Sequence, residues 1–431
     1  MARFPRAAAT PGSSLAAIGA VTMLVAVGLG VVGSLQAPVA SGVTRNYYIA
    51  ADPVLWNYTP SMTNEITGEP LGAHNATESF YTGRNATYLG ATFEKCVYEQ
   101  YSDASFTALL PRPASEAYLG LLGPVIYAAV GDTINVTFRN NCPFLESLAP
   151  QGVQVAPQDD GTNYNGSFYL GGSVPTYGTV QYSWQVPYSA GPGSSGAGAT
   201  MWLYDSGKQF VNSTDVGLLG PIIISAQGMD HPDGTPIGSA ANPILLFNVY
   251  NETDSPYLRY NVEHLAEDPA IVNVKDPVWV DSLNKYAING YLYGNLPMLT
   301  FPQGTQVHWW LIAMGQGLHT ASWPGDPVLV GGARTDLLGL APGVTTCATM
   351  WANATGVGLV ESVVPADLLG GMQARYDVVP ASTPGVTAAG SPPWGAVDPY
   401  RSGSVPVRTD GTRLPASGAD APGIWGAVRW V

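Results

Sequence analysis

Charge, histidine and cysteine are all scarce in this 431-residue chain, and each shortage excludes something. Charged side chains make up 11% of it, against roughly a quarter of an average soluble domain. Only 17 are Lys or Arg against 31 Asp and Glu, a formal net charge of −14. That balance repels phosphate backbones and excludes nucleic acid as a partner. The acids are scattered rather than run together, the pattern of a solubilising surface. Three cysteines are too few for a disulfide-built miniprotein. The five histidines are His74, His231, His264, His308 and His319, a thin supply for metal ligation. The phosphate-binding glycine loop, His-Glu-x-x-His and Gly-x-Ser-x-Gly are all missing. The adjacent acids Asp159 and Asp160 sit among turn residues and read as a solvated turn.

What is abundant points one way. Hydrophobic residues are 46% of the chain, with 51 Gly, 36 Pro and 23 Tyr. Short strands between tight turns follow from that mixture, and with them an all-β fold. At about 150 residues per domain, the length suggests two or three domains.

The N-terminus reads as a secretory signal. Arg3 and Arg6 precede an uncharged stretch from Leu15 to Val32, and small residues follow around Ala37, Ala40 and Ser41. Eighteen apolar residues also meet the lower limit for a membrane span, so residues 1–41 are a cleaved signal or an uncleaved anchor. Either places the body of the chain outside the cell or in the secretory lumen. N-glycosylation sequons begin at Asn57, Asn75, Asn85, Asn135, Asn165, Asn212, Asn251 and Asn353, which suits the same compartment. Glycans would offset the sparse surface charge. Cys96 and Cys142 fall in one block and are a candidate disulfide there. Cys347 is left over and reads as a buried thiol.

Two blocks follow the leader. Residues 42–227 form the first, residues 228–243 a linker marked by His231-Pro232-Asp233-Gly234, and residues 244–379 the second. Thr133 to Arg139 alternates cleanly and predicts a strand with Ile134, Val136 and Phe138 inward. Strands are also predicted over 125–130, 181–186, 222–224, 244–249 and 307–314. Gly-Leu-Leu-Gly-Pro occurs twice, at Gly120 to Pro124 and Gly217 to Pro221, each leading into an apolar strand. That repeat suggests two corners of one sandwich. Residues 380–431 are a Pro/Gly/Ser-rich tail that lacks the material of a packed domain, though Ile424, Trp425 and Trp430 offer something to dock.

Several strings, taken in order, resemble the multicopper oxidases of the ceruloplasmin, hephaestin and factor V/VIII A-domain type. Tyr47-Tyr48-Ile49-Ala50 resembles the opening strand of that family. Glu99-Gln100-Tyr101, Tyr118 to Pro124, Gly131-Asp132 and Gly217 to Pro221 follow in family order. Asn289-Gly290-Tyr291 with Gly294, Leu296 and Pro297 is similar to a second-domain string; Met314-Gly315, His319, Asp336 and Gly356 follow at family-like spacings. The resemblance covers 47–377 and implies two tandem plastocyanin-like cupredoxin domains, each a Greek-key β-sandwich.

The same resemblance implies copper sites, and the chain departs from them. Type 1 copper needs two His nitrogens, a Cys thiolate and a weak axial Met. Those positions fall on His319, Ser362, Asp367 and Met372, so two of the three strong ligands are replaced. The trinuclear His-x-His positions fall on Ala149 and Gln151 and on Asp205 and Gly207, with no histidine. The loop 161–178 lacks the carboxylates with which the family holds calcium. Taken together, the reading is a degenerate, non-catalytic oxidase scaffold with no cofactor expected. It would be a secreted or surface glycoprotein that binds other extracellular or membrane proteins or assembles with itself. The alternative is a ferroxidase relative that handles copper or iron with another chain.

Overall fold

The computed structural model describes residues 42–383, apart from 165, 167, 194–197, 209 and 239–240. The signal or anchor, the sequon at Asn165 and the tail from 384 onward, with Ile424, Trp425 and Trp430, lie outside the described residues. No described helix is long and apolar enough to cross a membrane.

Among the described residues, twenty-two strands carry the fold. The first set is β1 (Thr44–Asn57), the short hairpin β2 (Thr63–Asn64) and β3 (Glu69–Pro70), β4 (Thr92–Gln100), β5 (Ile126–Ala129), β6 (Thr133–Asn140), β7 (Ala149–Pro150), β8 (Gln154–Val155), β9 (Thr179–Gln185), β10 (Ala199–Asp205) and β11 (Leu219–Ser225). The second is β12 (Ile244–Asn251), β13 (Asn284–Ile288), β14 (Leu299–Pro302), β15 (Gln306–Ala313), β16 (His319–Ser322), β17 (Val328–Val330), β18 (Ala333–Thr335), β19 (Leu337–Leu340), β20 (Thr345–Trp351), β21 (Gly356–Ser362) and β22 (Gln373–Val379). Five short α-helices interrupt them among the described residues: α1 (Ala76–Thr82), α2 (Phe210–Val216), α3 (Leu258–Leu265), α4 (Pro277–Ser282) and α5 (Pro365–Gly370).

The chain is all-β, two sandwiches in sequence. In the first, sheet β4-β1-β6-β9-β8 faces sheet β5-β11-β10-β7; in the second, β13-β12-β15-β20-β17-β18 faces β14-β22-β21-β16-β19. The alternation in β6 does what its pattern predicts. Ile134, Val136 and Phe138 are buried, while Thr133, Asn135 and Thr137 are half-exposed. Burying every second side chain is how a strand commits one face to a core. The two Gly-Leu-Leu-Gly-Pro strings end side by side. Their strands β5 and β11 run parallel, with Ile126 opposite Ile222, and Gly123 N–H donates to Leu219 O at 2.8 Å.

The sandwiches share a core rather than touching at a rim. One hydrophobic cluster runs from Trp56, Phe93 and Leu121 of the first through Leu246 and Tyr291 into Trp309 of the second. Asn289 is the polar pin of this joint. It is fully buried with φ of 51°, a left-handed conformation that Asn tolerates better than most residues. Its Oδ1 accepts from Leu246 N–H at 2.6 Å, and its Nδ2 donates to Tyr118 O at 2.8 Å and Ile244 O at 2.9 Å. Gly290 O accepts from Trp56 Nε1 at 2.7 Å. The Asn-Gly-Tyr string is therefore a joint between sandwiches. The segment 228–243 is tied down as well: Arg45 donates to Asp132 at 2.6 Å and to Asp230 at 2.5 Å.

Candidate functional site: the type 1 position and its surroundings

The four residues expected at type 1 positions, His319, Ser362, Asp367 and Met372, converge inside the second sandwich. His319 opens β16 and Ser362 closes β21, strands that pair antiparallel through Ala321 and Ser362. Between Ser362 and Met372 the chain makes the single short helix α5. Pro365 starts it, where a missing N–H costs nothing. Gly371, in the left-handed region with φ of 96°, ends it and returns its N–H to Asp367 O and Leu368 O. Met372 N–H then bonds Asp367 O at 2.9 Å, and Ser362 N–H bonds Met372 O at 3.1 Å. All four side chains are buried: His319 is 1% exposed, Ser362 and Met372 0%, and Asp367 4%.

Hydrogen bonds close this pocket. Asp367 Oδ2 accepts from Ser362 Oγ at 2.6 Å and lies 2.8 Å from His319 Nδ1. His319 Nε2 lies 3.1 Å from Met314 O. A carbonyl oxygen only accepts, so an Nε2 that bonds it does so as the donor and turns no lone pair toward a metal. Nδ1 points at a carboxylate instead of a cation. Ser362 supplies a hydroxyl where soft thiolate ligation is needed.

In the first sandwich the residues expected at the trinuclear positions also meet. Ala149 pairs with Asp205 across β7 and β10. Gln151 Nε2 donates to Asp205 Oδ2 at 3.5 Å, and Gly207 packs close to the Ala149 methyl. Burial pushes the Asp205 carboxyl up to about 6 and that of neighbouring Glu146 up to about 7. The structure joins Cys96 to Cys142 as a disulfide with Cα atoms 6.3 Å apart, both fully buried. Cys347 is a free, half-buried thiol pushed up to about 12 by burial, a poor nucleophile. His74, His231 and His264 are exposed and His308 half-exposed, far in role from the buried His319.

Sequence reasoning missed one polar centre. Lys95, fully buried in β4, donates to Glu252 Oε1 at 2.5 Å, Asp215 O at 2.8 Å and Tyr58 OH at 3.0 Å. Tyr58 OH also donates to Glu252 Oε1 at 2.5 Å. Lys285, 1% exposed, donates to Tyr81 O and Ser282 O, and burial pushes it down to about 7. The only sign in the sequence was a lysine amid the strand residues Phe93 to Tyr98.

No protein-family model matches the chain. Human ferroxidase HEPHL1 is 33% identical over 344 residues, covering 79% of this chain and 30% of that one. Human ceruloplasmin is 33% identical over 344 residues, covering 78% and 32%. Rat hephaestin is 33% identical over 346 residues, covering 78% and 30%. The chain belongs to the multicopper oxidase family. This multicopper oxidase chain spans about a third of the length of the relatives it matches. Among solved structures, copper nitrite reductase from Nitrosomonas europaea has a TM-score of 0.50 at 13% identity, covering 80% of this chain and 97% of that one. That likeness shows the fold alone.

Family membership corrects one expectation. A chain without a cofactor is what the missing ligands suggested, but the chain belongs to the multicopper oxidases, and copper is the cofactor that family implies. The donors at the expected type 1 position of this chain nevertheless do not fit the family's centre, for the reasons just given: a hydroxyl for a thiolate, a carboxylate for an imidazole, and a histidine with an acceptor facing each nitrogen.

Proposed function

We propose that this chain is a secreted or surface-anchored glycoprotein in which the cupredoxin pair serves as a scaffold for binding other extracellular proteins or for self-assembly. It turns over no substrate through its type 1 position. The His319 pocket carries this reading. Its side chains satisfy one another through Asp367 Oδ2, leaving no thiolate to accept or pass an electron. The leader, the sequons and the disulfide support the secretory compartment. Fold and activity separate readily on shared scaffolds. The name ferroxidase belongs to a relative of which this chain spans 30%.

The test is turnover, not metal content. Purified full-length chain, supplied with copper, is assayed for aerobic oxidation of Fe(II). The expected rate equals that of buffer with the same copper. Saturable turnover that depends on the protein would sink the scaffold reading. It would favour an oxidase-related chain, the alternative that the 33% identity to a ferroxidase supports.

A further inference from the structure

The outer face of sheet β4-β1-β6-β9-β8 bears hydroxyls and amides in register. Asn46, Asn135 and Ser183 form one row across β1, β6 and β9. Thr44, Thr133 and Gln185 form the next. Adjacent strands lie about 4.8 Å apart and alternate residues about 6.8 Å, so the rows make a flat polar lattice. No side chain in either row is charged. Thr133 Oγ1 donates to Gln185 Oε1 at 3.1 Å at the exposed surface.

We propose that Asn135 carries an N-linked glycan that lies along this face, its sugar hydroxyls bonded to the surrounding side chains. The inference rests on the secretory reading above. Asn135-Val136-Thr137 is a sequon written in a strand, so Asn135 and Thr137 point outward together while Val136 is buried. Attachment forms a bond from Nδ2 to the anomeric carbon of a lipid-pyrophosphate-linked oligosaccharide, breaks that carbon's bond to the pyrophosphate, which leaves on the lipid, and releases one of the two Nδ2 hydrogens as a proton. The other still serves Asn46 Oδ1, 3.4 Å away, and Asn135 Oδ1 still accepts from Ser183 Oγ at 2.9 Å. The side chain is thus held in one orientation before and after modification, which aims the first sugar along the lattice. A neutral polyol matches these two neutral, hydrogen-bonding rows. Asn57 differs: its Oδ1 is bound to Thr59 N–H, and the sequon threonine Thr59 is fully buried. At Asn212 the following Ser213 and Thr214 are buried too.

The test uses the full chain secreted from a eukaryotic host, with glycopeptides mapped before and after amidase release. Asn135 should be occupied. Thr137→Ser should keep that glycan, and Thr137→Val, which retains a β-branched strand residue, should lose it. Release from the folded protein should be about ten-fold slower at Asn135 than at exposed Asn85, the protection of about two neutral hydrogen bonds. Denaturation should equalise the two. A bare Asn135 beside glycosylated Asn75, Asn85 or Asn353 overturns the inference and leaves the secretory reading standing. Equal release rates in the folded protein overturn the covering of the face. Glycans at none of these sites overturn the secretory reading itself.

Discussion

Replacing Lys95 with Met should be among the most damaging single changes in the chain. The ammonium is fully buried and is the charge partner of Glu252, which is also fully buried. Met fills the same volume but takes away the ion pair and two hydrogen bonds, to Tyr58 OH and Asp215 O. Glu252 keeps only the Tyr58 hydroxyl on Oε1, while Oε2 has no protein partner. Breaking a buried ion pair by removing one partner costs about 3–5 kcal/mol, and the charge of Lys285, which also acts on Glu252, places the loss toward the lower end. At roughly 2–4 °C per kcal/mol for a domain of this size class, the midpoint should fall by about 10 °C. Calorimetry of the purified chain measures it. Lys95→Met with Glu252→Leu should recover most of the loss, because removing both partners leaves no stranded charge. A single variant within about 1 kcal/mol of the parent, or a double variant no better than the single, would refute the reasoning.

Other outcomes follow from the same geometry. Cys96→Ala with Cys142→Ala opens a 46-residue separation and should cost about 4 kcal/mol in denaturant titration, on the loop-entropy account. Ser362→Cys with Asp367→His, beside His319 and Met372, should take up Cu(II) and develop an intense blue absorption band; a colourless, copper-free double variant would show that these four positions do not form a type 1 frame. Burial raises the carboxyls of Glu94 and Glu146 from an ordinary 4.5 to about 7. Their native forms bind protons more tightly than the unfolded chain does. The stability these two groups contribute is therefore full below about pH 4.5 and is lost as pH rises through about 7. Urea midpoints across that window should fall in the parent chain and fall less in Glu94→Gln with Glu146→Gln. Lys285, pushed down to about 7, has the opposite slope, but only above that pH.

Much of the architecture was legible in local patterns, and the reason is physical. Period-two burial in β6 needs nothing but the strand's own pleat, so Ile134, Val136 and Phe138 could be placed inward from spelling alone. Glycine and proline mark turns through their own backbone limits, which holds for Gly120 to Pro124; the second string is misread as a corner, because its Leu219, Gly220 and Pro221 already lie in β11, paired with β10. The absence of a cysteine and a second histidine at the type 1 positions is likewise a fact of composition. What the sequence could not tell is what those replacements do. Only the closing of α5 on Gly371 brings Asp367 under His319 and Ser362, turning scattered substitutions into one hydrogen-bonded set. The Lys95–Glu252 pair is separated by 157 residues, and Asn289 links strands that no local rule connects. Long-range partners decide whether a buried polar group is stranded or satisfied, and partners are a property of the packed chain. The sequence by itself determined the strands and which ligands were missing; the tertiary structure decided what took their place.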